Sequence, residues 1–199
     1  LPEPFRKSID YYSAVLDYDL GFATLTSVST YSETSTVSVQ DATLIFGIAF
    51  PALTGGAVPA GLAPFSVALD LQKFTQEIRL ASPDNDRFEW LVGAFYTKED
   101  SENHQLVRTF DFSGAPNALD PGAVVSLPST FKEMAVFANA TAYFGDMFAL
   151  SGGLRYAKNK QDFRQISSGP FIGVANFSGK SEEDVFIYSI SPQLHISDD

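Results

Sequence analysis

The sequence predicts an all-β fold, an antiparallel up-and-down meander of long strands. Three observations lead to this prediction. Apolar and polar residues alternate with a period of two along most of the chain, and no segment shows convincing helical periodicity. Two of the alternating segments are much longer than the usual strand of about five to six residues. Tight turns and long connections alternate between the segments, which is typical of an up-and-down sheet.

The composition limits the classes of function. The 199 residues are 45% hydrophobic and 14% aromatic, so the chain can bury a core. The net charge of −11 argues against a nucleic-acid partner, because binding phosphates requires clustered Lys and Arg. Cysteine is absent, which excludes disulfides and thiolate metal sites. No apolar run reaches about 18 residues, but transmembrane strands need only about 9–11 alternating residues.

The first four strands are predicted from alternation that turn residues interrupt. We place strands at residues 11–18 and 22–39, joined by a turn at Asp19-Leu20-Gly21. Further strands at residues 73–81 and 88–99 flank the turn residues Pro83-Asp84-Asn85-Asp86. A long connection at residues 41–69 separates the two hairpins. The register of residues 22–39 stays open, because their alternation fits either face.

The second half of the chain repeats this organisation. Residues 102–130 are rich in Gly, Pro and Ser and predict a second long connection. Strands follow at residues 133–143 and 148–165, with a turn at Phe144-Gly145-Asp146. A third connection at residues 167–180 leads to a last strand at residues 184–196. Residues 133–143 are ambiguous, since small apolar residues and two aromatics lie on opposite faces: Val136, Ala138, Ala140 and Ala142 against Phe137 and Tyr143.

The order of the connections favours a membrane barrel. Alternating tight turns and long loops put all turns on one rim and all loops on the other, which a soluble sandwich with Greek-key crossovers need not do. Outer-membrane barrels combine short periplasmic turns with longer extracellular loops. The strand ends far from the turns become charged, as at residues 98–102 and 158–162. These strands are expected to cross a hydrocarbon layer and then project into water.

Each strand is predicted to have one apolar and one polar face. The apolar sides of three strands are Tyr12, Ala14, Leu16 and Tyr18; Phe74, Gln76, Ile78 and Leu80; and Phe148, Leu150, Gly152, Leu154 and Tyr156. A half-solvated soluble sheet and a membrane wall both give this pattern. Aromatic residues close to the tight turns favour the membrane wall, because they suggest a girdle at the membrane interface: Phe22, Phe88, Trp90, Tyr143, Phe144 and Phe148.

Three segments of the chain resemble the barrel of TonB-dependent outer-membrane receptors. In residues 74–100, Gln-Glu-Ile-Arg-Leu-Ala-Ser at positions 76–82 precedes a short turn and an aromatic-rich strand. In residues 134–163, Gly-Leu-Arg-Tyr at positions 153–156 matches a recurring strand motif of the family. Residues 16–31 are similar to an earlier hairpin. The resemblance covers most strand positions between residues 11 and 195 and leaves the long loops unmatched.

The resemblance implies a barrel of about 22 strands in the outer membrane of a Gram-negative bacterium. Such a receptor imports a scarce nutrient such as an iron–siderophore, haem, cobalamin or a glycan, with energy from the TonB complex. This chain departs from the family pattern, since we find no plug domain, no TonB box and no closing aromatic strand. We therefore expect residues 1–199 to be an internal fragment of a barrel domain. Its expected partners are outer-membrane lipid, the plug domain, the TonB complex through a missing N-terminal region, and a small-molecule or metal-chelate substrate.

Two other functions remain open. A passive porin or adhesin-type barrel would have the same wall chemistry, and an upstream plug domain with a TonB box would separate it from a receptor. A soluble carbohydrate-binding β-sandwich is the third hypothesis. It requires the side chains of Leu150, Leu154 and Tyr156 to pack against a second sheet.

The sequence contains no catalytic constellation, so we predict no enzyme, no cofactor and no metal site. The only histidines, His104 and His195, lack metal-ligand spacing. Glu99, Asp100 and Glu102 with His104 form either a cation site or, as we favour, a solvated polar rim.

Substrate-contacting residues are predicted on the lumenal side of the wall and in the loops. Glu77, Arg79 and Arg155 are the lumen-facing candidates for contact with substrate or plug, and ion pairs between neighbouring strands are the favoured alternative. Residues 41–69 and 102–130 are the loops expected to contact substrate, and the apolar run at residues 44–50 is expected to pack over the barrel mouth.

Overall fold

The computed structural model describes residues 1–145 and 147–194, which form a single sheet of seven antiparallel strands. The strands are β1 (Phe5–Asp19), β2 (Thr24–Asp41), β3 (Pro64–Ala81), β4 (Phe88–Val107), β5 (Ala123–Phe144), β6 (Phe148–Ser168) and β7 (Ala175–Leu194). Each strand pairs with its neighbour in sequence, in the order β1 to β7. The predicted all-β meander, a partial barrel wall of seven strands, is confirmed.

Helical structure is confined to the first long connection in the described part of the chain. A 3-10 turn at Gly47–Ala49 leads into a single α-helical turn, α1 (Phe50–Leu53). Neither turn was predicted from the sequence. No helix among the described residues has the length and apolar character needed to cross a membrane.

The strands are 15 to 22 residues long, and all except β2 are longer than the sequence predicts. The predicted bounds of residues 11–18, 73–81, 88–99, 133–143 and 184–196 are wrong on the side away from the tight turns. In β3 the added residues continue to alternate, but with Phe65, Val67, Leu69 and Leu71 on the face of Glu77 and Arg79. The backbone continues to pair, for example between Asp70 and Glu102. The long connections accordingly shrink to residues 42–63, 108–122 and 169–174. Positions 195 and 196 of the last predicted strand, and Asp146 of the predicted turn, lie outside the described residues.

The three tight turns lie at one end of the sheet, as predicted. In the first turn Gly21 has a φ of +84°, and its N–H donates a hydrogen bond of 2.7 Å to the Asp19 carboxylate. Only glycine adopts such a φ at little cost, so this position fixes a close reversal. In the second turn the N–H of Ser82 donates to the carbonyl of Trp90 at 2.8 Å, which closes the hairpin where alternation breaks.

The register divides the sheet into two faces. One row runs across five strands through Leu80, Val92, Ala138, Leu154 and Tyr188. We call the face that carries this row the apolar face, and the opposite one the polar face. Because partners in an antiparallel pair share a face, the register confirms the predicted faces of β1, β3 and β6.

Both open registers are settled by the strand pairing. Leu25 and Tyr31 of β2 lie on the apolar face, opposite Leu80 and Phe74. In β5 the small residues lie on the apolar face: Val136, Ala138, Ala140 and Ala142. Phe137 and Tyr143 therefore lie on the polar face.

The buried core lies under the long connections rather than beneath the sheet as a whole. It is built from Phe50, Val58, Ala63, Val107 and Ala123, with Phe46, Phe65, Leu119 and Phe171 packed against them. Its strand members belong to the polar face, so the connections fold over that face at the end opposite the tight turns.

The apolar face remains uncovered by any described residue. Leu150, Leu154 and Tyr156 are 39%, 54% and 46% exposed. No second sheet packs on them within the described part of the chain. This arrangement contradicts the β-sandwich hypothesis, which requires those three side chains to be buried between sheets.

Candidate functional site

The half of the apolar face nearest the tight turns is a continuous uncharged surface, which we call the belt. On four strands it comprises residues 88–96, 134–144, 148–156 and 186–194. Every side chain of these segments that lies on the apolar face is apolar or aromatic, or is glycine. Segments of this length match the roughly 9–11 residues with which a tilted strand crosses a bilayer. The belt has the dimensions of a hydrocarbon layer.

Aromatic residues border the belt on both sides. The side nearest the tight turns carries Tyr18, Phe88, Trp90, Phe144 and Phe148. The other side carries Tyr12, Tyr31, Phe74, Tyr96, Tyr156 and Phe186. Aromatic girdles of this kind mark the two interfaces of outer-membrane barrels.

Only the girdle at the turns was predicted from the sequence. The prediction that Tyr143 belongs to it is wrong, because Tyr143 lies on the polar face and donates a hydrogen bond of 3.0 Å to Glu89. Phe22 lies in the turn itself and is exposed. The second girdle had a signal in the sequence: Tyr96 and Tyr156 each precede by two positions the first charged residue of the same face, Lys98 or Lys158.

A small polar cluster inside the belt satisfies its own hydrogen bonds. The hydroxyl of Ser29 donates to Oε1 of Gln76 at 2.5 Å, and Nε2 of Gln76 donates to the hydroxyl of Ser27 at 3.0 Å. The same Nε2 donates to the carbonyl of Glu77 at 3.1 Å. Since hydrocarbon offers no hydrogen-bond partner, these three residues remain compatible with lipid only as a set.

The polar face holds Arg155 between a carboxylate and two rings. Its guanidinium donates to Glu133 on the neighbouring strand and lies 5.5 Å from the ring centre of Phe95 and 6.0 Å from that of Phe137. Gly93 makes room for the ring of Phe137, because a Cβ on Gly93 would collide with it. Arg155 is therefore fixed in place as part of the wall.

The other two predicted candidates lie on the same face. Nη1 of Arg79 is 3.5 Å from Oε1 of Glu77, and the Arg79 side chain is 43% exposed. The register links Arg79 to Arg155 through Gly93 and Phe137, three strand spacings or about 14 Å away. The shared face of the three candidates is as predicted. Arg155 pairs with Glu133 on the neighbouring strand, which agrees with the alternative prediction of ion pairs between strands. Arg79 pairs only with Glu77 of its own strand.

The acidic group near His104 is divided between the two faces. Glu99 lies on the polar face and pairs with Lys73 at 3.5 Å, whereas Asp100 lies on the apolar side and pairs with Lys98 at 2.6 Å. The described residues contain no cluster of three ligating side chains, and His195 lies outside them. Because these carboxylates lie on different faces and pair with lysines, the group fits the predicted solvated polar rim better than a cation site.

The connections are held together by an ion pair and by stacked rings. Nε of Arg108 donates to both oxygens of Asp120, at 2.7 and 3.0 Å, and the N–H of Thr109 donates to Oδ1 at 3.0 Å. The bond from Arg108 lowers the pKa of Asp120 below its ordinary value. No local pattern in the sequence marks this pair, because it joins the two ends of the second connection.

The apolar run at residues 44–50 is divided between interior and solvent. The rings of Phe46 and Phe50 stack on Phe171 of the third connection, with centres 5.5 and 5.9 Å apart. Leu44 and Ile45 remain 80% and 70% exposed. The run packs at the loop end of the polar face through Phe46, Gly47 and Phe50.

Comparison with known proteins supports a relation in fold. No family model and no curated protein sequence matches the chain. Among solved structures it is similar to the ferric yersiniabactin uptake receptor FyuA from Yersinia pestis, with a TM-score of 0.76 and 16% sequence identity. The match covers 99% of this chain and 28% of that receptor, so the chain spans little more than a quarter of its length. The chain therefore has the fold of a segment of a TonB-dependent receptor, as the sequence resemblance predicts.

Proposed function

We propose that the chain is part of the barrel wall of an outer-membrane active transporter of the TonB-dependent receptor class. The observation that carries the proposal is the uncharged belt between two aromatic girdles, on a sheet with the fold of an uptake receptor. The transported nutrient would be scarce and bulky, in the range of an iron–siderophore, haem, cobalamin or a glycan. The location would be the outer membrane of a Gram-negative bacterium.

The two edges of the sheet support a larger barrel. Among the described residues, β1 pairs only with β2, and β7 only with β6. An open edge of this length within a bilayer would leave a row of backbone N–H and carbonyl groups without partners. Further strands of the parent protein would supply those partners. The parent would also carry the plug domain and the TonB box.

The polar face would line the lumen, with the connections folded over its mouth. A substrate would first meet residues 42–63 and 108–122 and then the wall charges beneath them. Arg79 is the best placed of the three candidates to contact substrate or plug, because Arg155 is committed to Glu133 and to two rings. Glu77 would orient the guanidinium of Arg79.

Uptake by the full-length parent protein tests the proposal. The parent would be expressed in a Gram-negative host that lacks its own receptors, with labelled ferric siderophores, haem, cobalamin and oligosaccharides supplied in turn. We expect one class to accumulate only when TonB is present. Accumulation that persists without TonB would identify a passive pore, and no accumulation of any class would contradict a transporter.

A further inference from the structure

The polar face carries no charged side chain in its rows nearest the connections. Four rows of the register, through Phe65, Val67, Leu69 and Leu71 of β3, extend across the strands from β2 to β7. We call them the uncharged wall. Its members are the polar-face residues of segments 34–40, 65–71, 101–107, 123–129, 163–167 and 175–179. The opposite face of these segments does carry charges, at Asp70, Glu102 and Arg164, so the lack of charge belongs to one face.

Most charges that border the uncharged wall are paired. On the side of the tight turns, Nζ of Lys73 lies 3.5 Å from Oε2 of Glu99. On the side of the connections, Nε of Arg108 lies 2.7 Å from Oδ1 of Asp120. Lys7 lies on the edge strand β1, two strand spacings or about 10 Å from β3. A charged ligand in these rows would therefore find no partner charge on β3 to β6.

Apolar and amide side chains alternate from strand to strand across the uncharged wall. The apolar ones are Val67, Leu69 and Leu71 on β3 and Val125 and Leu127 on β5, and none of them is fully buried. Between these two strands β4 contributes the amides of Asn103 and Gln105. In one row Leu69, Asn103 and Leu127 are direct neighbours, so the two leucines lie about 10 Å apart.

The amides of β4 keep hydrogen-bonding capacity toward this surface. Nε2 of Gln105 donates to Oδ1 of Asn103 at 3.3 Å. No other hydrogen bond between described side chains uses these two amides, so the Gln105 oxygen and the Asn103 nitrogen remain available to a ligand. Phe163 and Phe177 meet edge to face on the same side of β6 and β7, with ring centres 6.3 Å apart, and both rings are exposed.

The connections above the uncharged wall also expose large apolar side chains. Five of them are more than half exposed: Leu44, Ile48, Leu53, Phe112 and Val174. The interior of a water-filled barrel is normally polar, whereas exposed apolar surface is typical of binding sites. The wall and the connections together therefore have the character of a surface that contacts an apolar molecule.

We propose that the uncharged wall binds the transported substrate and that this substrate is an uncharged amphiphile, with extended apolar surface and hydroxyl or carbonyl groups. The inference rests on the proposed function, in which the polar face lines the lumen. Leu69 and Leu127 contact the apolar surface of the ligand, and Asn103 and Gln105 bind its hydroxyl or carbonyl groups. A charged ligand would lose hydration here without gaining an ion pair, whereas an apolar surface gains free energy on leaving water.

The uncharged wall thus narrows the range of nutrients. Haem and anionic metal chelates do not fit, because their charges would face rows without a cation. A purely hydrophilic glycan would bind the amides of β4 but leave the apolar strips on β3 and β5 in water. A bulky molecule without net charge and with an apolar skeleton satisfies both kinds of strip.

Two probes with the same anilinonaphthalene skeleton test the preference for an uncharged ligand. The full-length parent in lipid nanodiscs is dialysed against uncharged N-phenyl-1-naphthylamine or anionic 8-anilinonaphthalene-1-sulfonate, with empty nanodiscs as the background. The uncharged probe should bind the protein about tenfold more tightly. Equal binding of the two probes would overturn the uncharged ligand. Binding of neither probe above background would overturn the site, because another part of the parent then covers the wall.

A double variant tests the apolar strips. Leu69→Ser/Leu127→Ser should bind the uncharged probe about 25-fold more weakly, at roughly fivefold for each leucine that contacts the ligand. Ile166→Ser is the matched control, because Ile166 lies at the same height on the apolar face, and it should bind like the wild type. Gel mobility before and after heating checks folding. Equal weakening by the double variant and the control would contradict a site on this face.

A single variant gives a readout of opposite sign. Leu127→Lys should tighten binding of the anionic probe about tenfold, since it supplies the partner charge that the wall lacks. Ile166→Lys, on the apolar face, should leave that binding unchanged. If Leu127→Lys binds the anionic probe no better than the wild type, the probe does not lie on the uncharged wall.

The uptake experiment separates this inference from the transporter itself. A substrate that accumulates only with TonB but carries net charge, such as haem, would overturn the inference and leave the transporter standing. An uncharged amphiphile that accumulates without TonB would contradict the transporter and leave the binding site standing. Maltohexaose that displaces the uncharged probe from the nanodiscs would overturn the amphiphile in favour of a glycan.

Discussion

Gly93 lies on the polar face between the backbone of β3 and the ring of Phe137. A Cβ there would meet the ring of Phe137 and, at 2.9 Å, the carbonyl oxygen of Ile78. The carbonyl belongs to the backbone of β3 and has little freedom to move. The space that glycine leaves is filled by an aromatic ring, and that ring lies beside the guanidinium of Arg155. Because Gly93 has no Cβ, the ring of Phe137 can occupy this space, and the ring in turn positions the guanidinium of Arg155.

Replacing Gly93 with alanine should destabilise the barrel by about 1–3 kcal/mol, since the added methyl group overpacks the contact with Phe137. Gly152→Ala is the matched control, because a Cβ on Gly152 would meet only the carbonyl of Ser189 at an ordinary 3.7 Å. The measurement is the urea midpoint of the full-length parent in detergent. Equal midpoints for the two variants would show that the space at Gly93 is not required.

Gln76 has a residue-scale role within the belt. Gln76→Leu should destabilise the barrel by about 1 kcal/mol, because it leaves the hydroxyls of Ser27 and Ser29 without their partner. The triple change Ser27→Ala/Ser29→Ala/Gln76→Leu should restore the wild-type stability or exceed it, since no polar group then faces lipid. Unfolding in lipid vesicles checks both variants. If the triple variant instead loses stability by the sum of the separate losses, the three residues do not act as one hydrogen-bonded cluster.

At the scale of elements, contacts between segments that are distant in sequence hold the connections in place. Rings from the first and third connections stack on each other, and an ion pair closes the second connection. Asp120 is the central acceptor, with Arg108 and Thr109 as its donors. Its side chain is 13% exposed, whereas that of Arg108 is 41% exposed. Solvent therefore screens the charge of the Asp120 carboxylate less than that of the Arg108 guanidinium.

The ion pair predicts a pH dependence for this connection. The pKa of Asp120 is lowered in the folded state, mainly by the hydrogen bond from Arg108. Its stabilisation is therefore complete above the ordinary carboxyl pKa of about 3.9 and is lost as the pH falls through the lowered value. In Asp120→Asn the Thr109 amide should exchange its hydrogen about tenfold faster at neutral pH.

The matched control for that exchange experiment is Asp111→Asn. Asp111 accepts hydrogen bonds from Ser113 and Ala115 within its own turn, and its carboxylate accepts none from Thr109. Its substitution should leave the exchange of the Thr109 amide unchanged. If both variants accelerate that exchange alike, the effect belongs to the loop as a whole rather than to the Arg108–Asp120 pair.

Sequence alternation predicted the strands wherever one face of a strand is apolar and the other is polar. In residues 74–80 and 148–156 a period of two fixes both the strand and its faces, and the faces of Glu77, Arg79 and Arg155 follow from it. Residues 64–69 and 123–130 were assigned to the loops because Gly, Pro and Ser are frequent around them, although they pair as strands. In β3 the alternation even continues there, with Phe65, Val67 and Leu69 on the polar face. Partners such as Glu133 for Arg155 depend on the register between strands, which no local pattern encodes.

At the scale of the whole molecule, the two faces of the sheet differ in what covers them. The belt has no covering element among the described residues, and the polar face receives the connections. In the proposed barrel, adjacent residues on one strand would therefore belong to different media. Tyr188 and Ile187 of β7 are 72% and 53% exposed, on opposite faces.

This difference between faces predicts opposite outcomes for neighbouring substitutions. Tyr188→Lys should destabilise the barrel in lipid by about 2–4 kcal/mol, because the charge enters the middle of the belt. Ile187→Lys, the matched control one residue away, should change stability by less than about 1 kcal/mol, since it would face the aqueous lumen of the proposed barrel. Unfolding of the parent in vesicles measures both. Equal effects would contradict an outward-facing belt.

The strands do not end where the belt ends. β5 begins at Ala123, whereas its part of the belt begins at Met134, so the paired wall continues for about 25 Å on the loop side at the tilt usual for such barrels. The connections above it bend inward over the polar face. The parts of the molecule that a phage or an antibody meets first on the cell would therefore be the charged outer sides of strands, at positions such as Glu102 and Lys180, and the rigid sheet rather than the loops would be the antigen.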